Sequence, residues 1–177
     1  MIQFRCANST EDLLEILRLQ VANEEAVLQA DETKQEGFVT VKHNLDLLRT
    51  MSGDYQHIVA TEDGQVIGYS LVMLKSFSKA IPVLVPMFRK IESINYNGQL
   101  LVNVPYVVMG QVCIAKPYRG MGVFQGLYKK MQSYLADDFQ YLITEVATRN
   151  TRSIRAHQKV GFQTIANYHA EGPSLWE

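Results

Sequence analysis

Residues 112–123 read VCIAKPYRGMGV, and they are the most informative part of the chain. An apolar strand pattern ends at Ala115, a short loop with Gly120 and Gly122 follows, and a helix pattern begins at Val123. Glycine lets backbone N–H groups approach a ligand closely, because no Cβ intervenes. The start of a helix adds unsatisfied N–H donors and about half a positive charge, which suits a pyrophosphate. The stretch therefore predicts an anion-binding loop between a strand and a helix.

Several alternatives compete for such a loop. A Walker-type nucleotidase needs Gly-Lys-Ser/Thr after the glycines, whereas Gly122 is followed here by Val123-Phe124, so that interpretation fails. A Rossmann-type nucleotide-binding protein is closer, because Gly120, Gly122 and Gly126 approach its fingerprint. However, only one further strand–helix unit follows the loop, and the strands before it form a hairpin. A glycine-rich turn that binds no ligand is the remaining alternative.

Hydrophobic periodicity predicts one α/β domain around this loop. Residues 76–105 fit it least well and are interpreted as an insertion with a short helix near Met87 to Ile94. The elements predicted before the loop are a helix from Ser9 or Thr10 to about Val27, a second helix ending near Gly53, hairpin strands 57–60 and 66–72 around Asp63-Gly64, and a strand at 106–115. Those predicted after it are a helix at 123–136, a strand at 141–147, a helix at 153–160 that ends before Gly161, and a strand at 162–168.

Composition excludes several classes of protein. The 177 residues are 47% hydrophobic and 20% charged, as in an ordinary globular domain. The 17 basic and 18 acidic residues give a net charge of −1, so no global field favours nucleic acid. Cys6 and Cys113 are too few for a disulfide framework or a zinc site, and no metal is expected. No apolar run is long enough to span a membrane, and the N-terminus is too polar for a signal peptide, so we expect a cytoplasmic protein.

The loop also resembles a family signature. PYRGMG at 117–122 is similar to Gln/Arg-x-x-Gly-x-Gly/Ala of the GNAT superfamily of N-acetyltransferases. Pro117 replaces the usual first residue, so that side-chain contact is absent, and Phe124 is larger than the family usually carries there. The backbone donors survive both departures. The resemblance implies that they bind the pyrophosphate of acetyl-CoA, through Arg119, Gly120, Met121, Gly122, Val123 and Phe124.

A second set of residues follows the family spacing. Asn150, Gly161 and Phe162 stand where GNAT proteins have an Asn and a later Gly-Phe. Asn150 resembles the family Asn that binds the pantetheine arm, although Asn is also a good helix N-cap. His157 occupies the position of the Tyr that usually gives a proton to the departing thiolate. Either His157 takes over that role, or it is a surface helix residue and the thiolate leaves unaided.

The resemblance covers about residues 1–170 and implies an α/β (α+β) fold of the GNAT type, in one domain that we assign to residues 1–177. Its mixed central sheet has antiparallel strands in the N-terminal part and two parallel central strands that splay apart, with helices on both sides. Backbone groups near Val112, Cys113 and Ile114 would bind the pantetheine arm and polarise the thioester carbonyl. Glu145 and Gln111 opposite it are candidates by position for the base that takes a proton from the amine, and only Glu145 can accept one fully. Alternatively, Glu145 pairs with a nearby Arg, and a water chain serves as the base.

The predicted function is transfer of an acetyl group from acetyl-CoA to a primary amine of a small molecule or peptide. Two alternatives stay open, a non-catalytic module that binds acyl-CoA and a Rossmann-type nucleotide-binding protein. Neither nucleic acid nor a membrane is expected as a partner. A homodimer is compatible with the resemblance, since dimers are common in the family.

Overall fold

The chain folds around a five-stranded sheet, and the computed structural model describes residues 1–29, 42–78, 84–169 and 175–176. The helices are α1 (Thr10–Gln29), α2 (Leu45–Met51), α3 (Val85–Ser93), α4 (Val123–Leu135) and α5 (Thr151–Lys159). The strands are β1 (Gln3–Cys6), β2 (Ile58–Glu62), β3 (Gln65–Leu74), β4 (Asn95–Tyr96), β5 (Gln99–Leu100), β6 (Tyr106–Ile114), β7 (Tyr141–Ile143), β8 (Tyr168–His169) and β9 (Leu175–Trp176).

The sheet has the order β1-β2-β3-β6-β7, antiparallel except for the parallel pair β6 and β7. The predicted hairpin is confirmed, because Asp63 and Gly64 connect β2 to β3 with φ of 49° and 83°. Both positive values suit the right-handed twist of the strands that they join. This mixed topology differs from the doubly wound parallel sheet of a Rossmann protein.

Two apolar cores lie on opposite faces of the sheet. One contains Ile16 of α1, Leu48 of α2 and Phe88 of α3, packed on the strand residues Tyr69 and Cys113 and their neighbours. The other lies under α4 and contains Val123, Leu127, Met131 and Leu135, which recur at helical spacing within the helix that the sequence predicted at 123–136. The two faces therefore carry different helices, and β6 contributes side chains to both.

The described part of the proposed insertion 76–105 packs into the first core. Met87, Phe88 and Ile91 of α3 are buried there, close to the helix bounds that the sequence predicted. Asn97 and Gly98, with φ of 52° and 82°, then turn β4 into β5. Residues 79–83 of this segment, and Val41 of the predicted second helix, lie outside the described residues.

The end of α5 confirms the predicted role of Gly161. Gly161 has φ of 99°, its N–H donates to the Gln158 carbonyl at 3.1 Å, and the Phe162 N–H donates to the His157 carbonyl at 3.1 Å. These two bonds form a Schellman motif, which satisfies carbonyls that the helix end would leave unpaired.

The strand predicted at 162–168 is wrong. Only Tyr168 and His169 are extended in a strand, and they pair with Leu175–Trp176 in a separate two-stranded sheet. Phe162 instead packs its ring edge-on against Tyr128, with ring centroids 5.0 Å apart. The sequence predicts the start of a strand at Phe162 because it is an apolar residue directly after a helix. In the structure, its ring packs on α4 and its N–H closes the end of α5. In the parts of the chain that the structure describes, no helix is both long and apolar enough to cross a membrane.

Candidate active site

A β-bulge in β6 sets which side chains face each side of the sheet. Ser70 pairs with Val112 and Val72 with Met109, so Gly110 and Gln111 together oppose the single residue Leu71. A bulge of this kind re-aims the side chains that follow it. Val112 and Ile114 accordingly pack on the α4 face, whereas Cys113 lies in the core on the α1 face.

Strands β6 and β7 separate beside the bulge. They pair from Tyr106 and Tyr141 to Val108 and Ile143, where β7 ends, while β6 continues to Ile114. The Thr144 hydroxyl donates to the Met109 carbonyl at 3.4 Å, at the start of the separation. Within the described chain, no strand pairs with the far edge of β6 beyond Val108. Its backbone groups can therefore bind an extended ligand that carries amides.

The loop after β6 exposes the start of α4. Gly120 and Gly122 have φ of 82° and 80°, and an added Cβ at either would meet no atom of the described residues within 4 Å. Gly122 is the N-cap of α4 and has no side chain to accept the first N–H groups of the helix. Met121 is 61% exposed beside them. The loop thus presents uncapped N–H donors, the positive end of a helix dipole and open space for an anion.

The side chain of Arg119 points back into the protein. Its Nε donates to the Ile114 carbonyl at 3.2 Å, and its Nη2 donates to Asn23 Oδ1 on α1 at 2.7 Å. Lys116 in the same loop is exposed. The two cations of the loop therefore differ, since Arg119 ties the loop to the fold and Lys116 faces solvent.

Asn150 caps α5. Its Oδ1 accepts the Ser153 N–H at 3.1 Å, which satisfies one donor of the first turn. The other interpretation of Asn150, a contact to the pantetheine arm, would use the Nδ2 group of the same amide. One residue can serve both purposes, because the cap occupies only the oxygen.

His157 lies inside an aromatic cluster. Its ring contacts those of Phe124, Tyr128 and Phe162, with ring centroids 5.0, 5.4 and 5.3 Å away. Nδ1 lies 2.8 Å from the Ser153 carbonyl, so it carries the hydrogen and leaves a lone pair on Nε2. Nε2 is buried and has no hydrogen-bond partner among the described residues. Burial lowers the pKa of His157, so the ring is neutral at pH 7.

Glu145 lies two residues after the end of β7, where β7 has already separated from β6. Its Oε2 accepts the hydroxyl hydrogen of Tyr168 at 2.8 Å. Burial raises the pKa of Glu145, and the hydrogen bond from Tyr168 partly offsets that rise. A half-buried carboxylate with a raised pKa is suited to accept a proton near neutral pH.

The chain matches the sequence profile of the Acetyltransferase (GNAT) family over residues 19–162, most of its length. It belongs to the GNAT family. No curated protein matches the chain significantly.

Solved GNAT structures share the fold. AAC(6')-Iy in complex with the bisubstrate analog CoA-S-monomethyl-acetylneamine has a TM-score of 0.65 and 16% identity, covering 98% of both chains. YncA, a putative acetyltransferase from Salmonella typhimurium solved with acetyl-CoA, has a TM-score of 0.60 and 19% identity, covering 99% of this chain and 89% of its own. The ribosomal-protein-S18-alanine N-acetyltransferase from Escherichia coli has a TM-score of 0.61 and 11% identity, and the match covers 99% of this chain and 90% of that protein's chain. At these identities the likeness concerns the fold, a single mixed α/β domain of the GNAT type.

Three residues beside the GNAT loop and the strand separation were not found from the sequence. Tyr69 is fully buried and donates a short hydrogen bond to Gln111 Oε1 in the bulge. Asn23 meets Arg119 across 96 positions of sequence, and Tyr168 meets Glu145 across 23. Each lies in an ordinary helix or strand pattern without a motif of its own, so only the fold brings it to the site.

Cys113 on β6 pairs with Tyr69 across the sheet. Burial raises the pKa of its thiol to about 11, so the thiol stays protonated at neutral pH.

Proposed function

We propose that the chain is an acetyl-CoA-dependent N-acetyltransferase that moves an acetyl group to a primary amine of a small molecule or peptide. One observation carries the proposal: the uncapped start of α4 follows directly on the strand whose far edge β7 leaves open. The start of α4 can bind an anion such as the pyrophosphate of coenzyme A, and the open edge of β6 can bind an extended arm that carries two amides, such as pantetheine. The family membership supports the same function.

The residues present fit this donor. Within the loop from Arg119 to Phe124, the backbone N–H groups of Gly120, Gly122, Val123 and Phe124 would bind the pyrophosphate, because those of Arg119 and Met121 already donate to the Lys116 and Tyr118 carbonyls. The described residues leave room beside Gly120 and Gly122. Backbone groups of Val112, Cys113 and Ile114, with the amide of Asn150, would bind the pantetheine arm. When bound, acetyl-CoA supplies a thioester whose acyl carbon a neutral amine can attack. A backbone N–H at the open edge would polarise the thioester carbonyl, an effect worth about 3 kcal/mol in comparable acyl-transfer sites.

Glu145 is proposed as the group that takes a proton from the acceptor amine. Its half-buried position gives it a raised pKa, and it lies just beyond the end of β7, where the strands separate. The carboxylate form is the active one, so the rate rises with pH through the pKa of Glu145. Its bond to Tyr168 supports this proposal over the alternative of an ion pair with an arginine.

His157 is proposed to give a proton to the departing thiolate from Nε2. The unpartnered, buried Nε2 atom beside Phe124 in the first turn of α4 supports this role. The donor is the imidazolium form, and burial makes that form less populated. The contribution of His157 therefore grows as the pH falls, in the sense opposite to that of Glu145.

Calorimetric titration with acetyl-CoA tests the donor site, with coenzyme A and NAD as comparators. We expect micromolar binding of both CoA species and loss of binding in Gly122→Trp. Gly64→Trp is the matched control, because Gly64 also has a positive φ and open space but lies in the β2–β3 turn. Absence of CoA binding at millimolar ligand, or preference for NAD, contradicts the proposal.

Release of free thiol from acetyl-CoA in the presence of amines then tests catalysis. A panel of small polyamines, amino sugars and peptides with free N-termini spans the proposed acceptors. Thiol release that depends on one class of amine supports the transferase. Tight binding of acetyl-CoA without release by any amine favours the alternative, a non-catalytic acyl-CoA-binding module.

A further inference from the structure

A contact between α1 and the glycine loop joins parts of the chain that are distant in sequence. Asn23 in α1 is 9% exposed, and its Oδ1 accepts the Arg119 Nη2 hydrogen at 2.7 Å. Arg119 is the residue immediately before Gly120. The contact therefore connects the helix on one face of the sheet to the loop that starts α4 on the other.

The orientation of the Asn23 amide is fixed from its own helix. Its Nδ2 donates to the Leu19 carbonyl at 2.8 Å, one turn earlier in α1. With the nitrogen committed in this way, only the oxygen can face the guanidinium. The pair thus has one arrangement, a neutral acceptor aimed at a charged donor, and such hydrogen bonds are among the stronger ones in proteins.

The guanidinium is also attached to the end of β6. Arg119 Nε donates to the Ile114 carbonyl at 3.2 Å, and the Arg119 N–H donates to the Lys116 carbonyl at 3.3 Å. The Arg119 side chain therefore connects the end of β6 to α1, and its backbone N–H forms a turn within the loop. Gly120 and Gly122 have no side chains and make no such attachment, so the loop conformation depends on the residue that precedes them.

We propose that Asn23 is a positioning residue for the donor-binding loop. By fixing Arg119, it holds the backbone of Gly120, Gly122, Val123 and Phe124 in one conformation and so lowers the ordering cost of binding an anion there. This proposal deepens the proposed function and rests on it only for the identity of the ligand. The competing interpretation is that Arg119 itself touches the phosphates and that Asn23 merely packs α1.

A double-mutant cycle on acetyl-CoA affinity separates the two interpretations. The variants are Asn23→Leu, Arg119→Met and the double variant, with Asn23→Asp as the conservative replacement that keeps the acceptor oxygen. Loss of a hydrogen bond to a charged group predicts about a tenfold rise in Kd for each single variant. We expect the double variant to be no worse than either single one, and Asn23→Asp to stay within about threefold of wild type.

Salt dependence provides a readout that packing alone does not change. If Arg119 neutralised a phosphate directly, Arg119→Met would flatten the dependence of Kd on salt concentration, and Asn23→Leu would not. We expect both variants to keep the wild-type salt dependence, because the guanidinium acts on the loop and not on the ligand. Additive losses, or a flattened dependence in Arg119→Met alone, would overturn the proposal.

Hydrogen exchange of the ligand-free protein tests the proposal without any donor. Asn23→Leu should speed exchange of the amides from Arg119 to Val123 about tenfold, while the amides of α4 after Leu127 keep their wild-type rates. Unchanged loop amides would sink the proposal even if acetyl-CoA binds. Conversely, faster loop exchange in a protein that does not bind acetyl-CoA would uphold the positioning role and contradict the proposed function.

Discussion

At the scale of single residues, the Glu145–Tyr168 pair predicts a specific dependence of rate on pH. Burial raises the pKa of Glu145, and the Tyr168 hydroxyl lowers it by donating to the carboxylate. Tyr168→Phe removes only that donor, so the pKa of Glu145 should rise further. The acidic limb of the pH profile of kcat/KM should then move to higher pH, while the plateau at alkaline pH stays close to wild type.

Glu145→Gln is the companion variant, because it keeps the size of the side chain and cannot accept the proton. We expect kcat/KM to fall by about 100-fold or more and the acidic limb to disappear, with acetyl-CoA affinity unchanged. A Tyr168→Phe profile that overlays wild type would mean that the base is another group or a water chain.

His157 predicts the opposite pH dependence. Burial lowers its pKa, so the imidazolium form that gives a proton is populated mainly below pH 6.5. His157→Phe keeps the ring contacts with Phe124 and Tyr128 but has no proton to give. The ratio of wild-type to variant kcat should be about tenfold or more at pH 6 and approach one at pH 8. An equal ratio at both pH values would show that His157 acts through packing alone.

At the scale of secondary-structure elements, the third glycine of the loop segment has a packing role. Gly126 lies in α4, and a Cβ built on it would overlap the ring of Phe4 in β1. The glycine therefore lets the ring of this edge-strand residue lie directly against the helix. The missing side chain leaves room for the Phe4 ring against the helix.

Gly126→Ala should consequently destabilise the fold by about 1–3 kcal/mol, although alanine is the better helix former. The double variant Phe4→Leu/Gly126→Ala should recover much of the loss, since the ring that clashes is gone. Urea unfolding of the three proteins measures this. Destabilisation by Gly126→Ala that the second substitution fails to relieve would show that the overlap with Phe4 is not its cause.

The elements differ in how far the sequence could predict them. The strand at 106–115, the loop and α4 were predictable, because each has a complete pattern within about a dozen residues. Strand β1 was missed, since QFRC is short and is defined by its pairing with β2, more than fifty positions away. The strand predicted at 141–147 pairs only to Ile143, because the separation from β6 depends on a bulge that no periodicity signals.

The same limit applies to the candidate site. Glycines and Asn150 were found because turns and caps restrict residue type locally. Asn23, Tyr69 and Tyr168 were not found, because each contacts a residue in a different part of the chain. Their residue types are also common in helices and strands, so no local pattern marks them. A loop motif can thus be read from sequence, whereas the residues that position the loop require the fold.

At the scale of the whole molecule, buried ionisable groups make stability depend on pH in two separate windows. His57 is 2% exposed, donates from Nε2 to the Leu48 carbonyl of α2 at 2.9 Å and accepts the Val72 N–H of β3 at 3.0 Å. Burial lowers its pKa to about 4 from 6.5. Asp12 behaves differently, since its hydrogen bonds with Arg5 lower its pKa to about 2 from 3.8.

The sign follows from which state binds protons. Between pH 6.5 and 4 the unfolded chain protonates His57 and the folded chain does not, so stability is complete above pH 6.5 and falls toward pH 4. Each such group removes up to about 1.4 kcal/mol per pH unit in that window. His43, whose pKa burial also lowers to about 4, adds to the same slope. The Asp12 contribution is present above pH 3.8 and is lost as the pH falls through 2.

Urea unfolding from pH 4.5 to 7.5 separates these contributions. His57→Gln should lower the free energy of unfolding at pH 7 but reduce its slope between pH 6.5 and 4.5 by up to about 1.4 kcal/mol per pH unit. Asp12→Asn is the matched control, because it should cost about 2 kcal/mol at every pH in this range and leave the slope unchanged. If His57→Gln keeps the wild-type slope, the histidine takes up its proton within the folded protein, and the bridge between α2 and β3 is open to water.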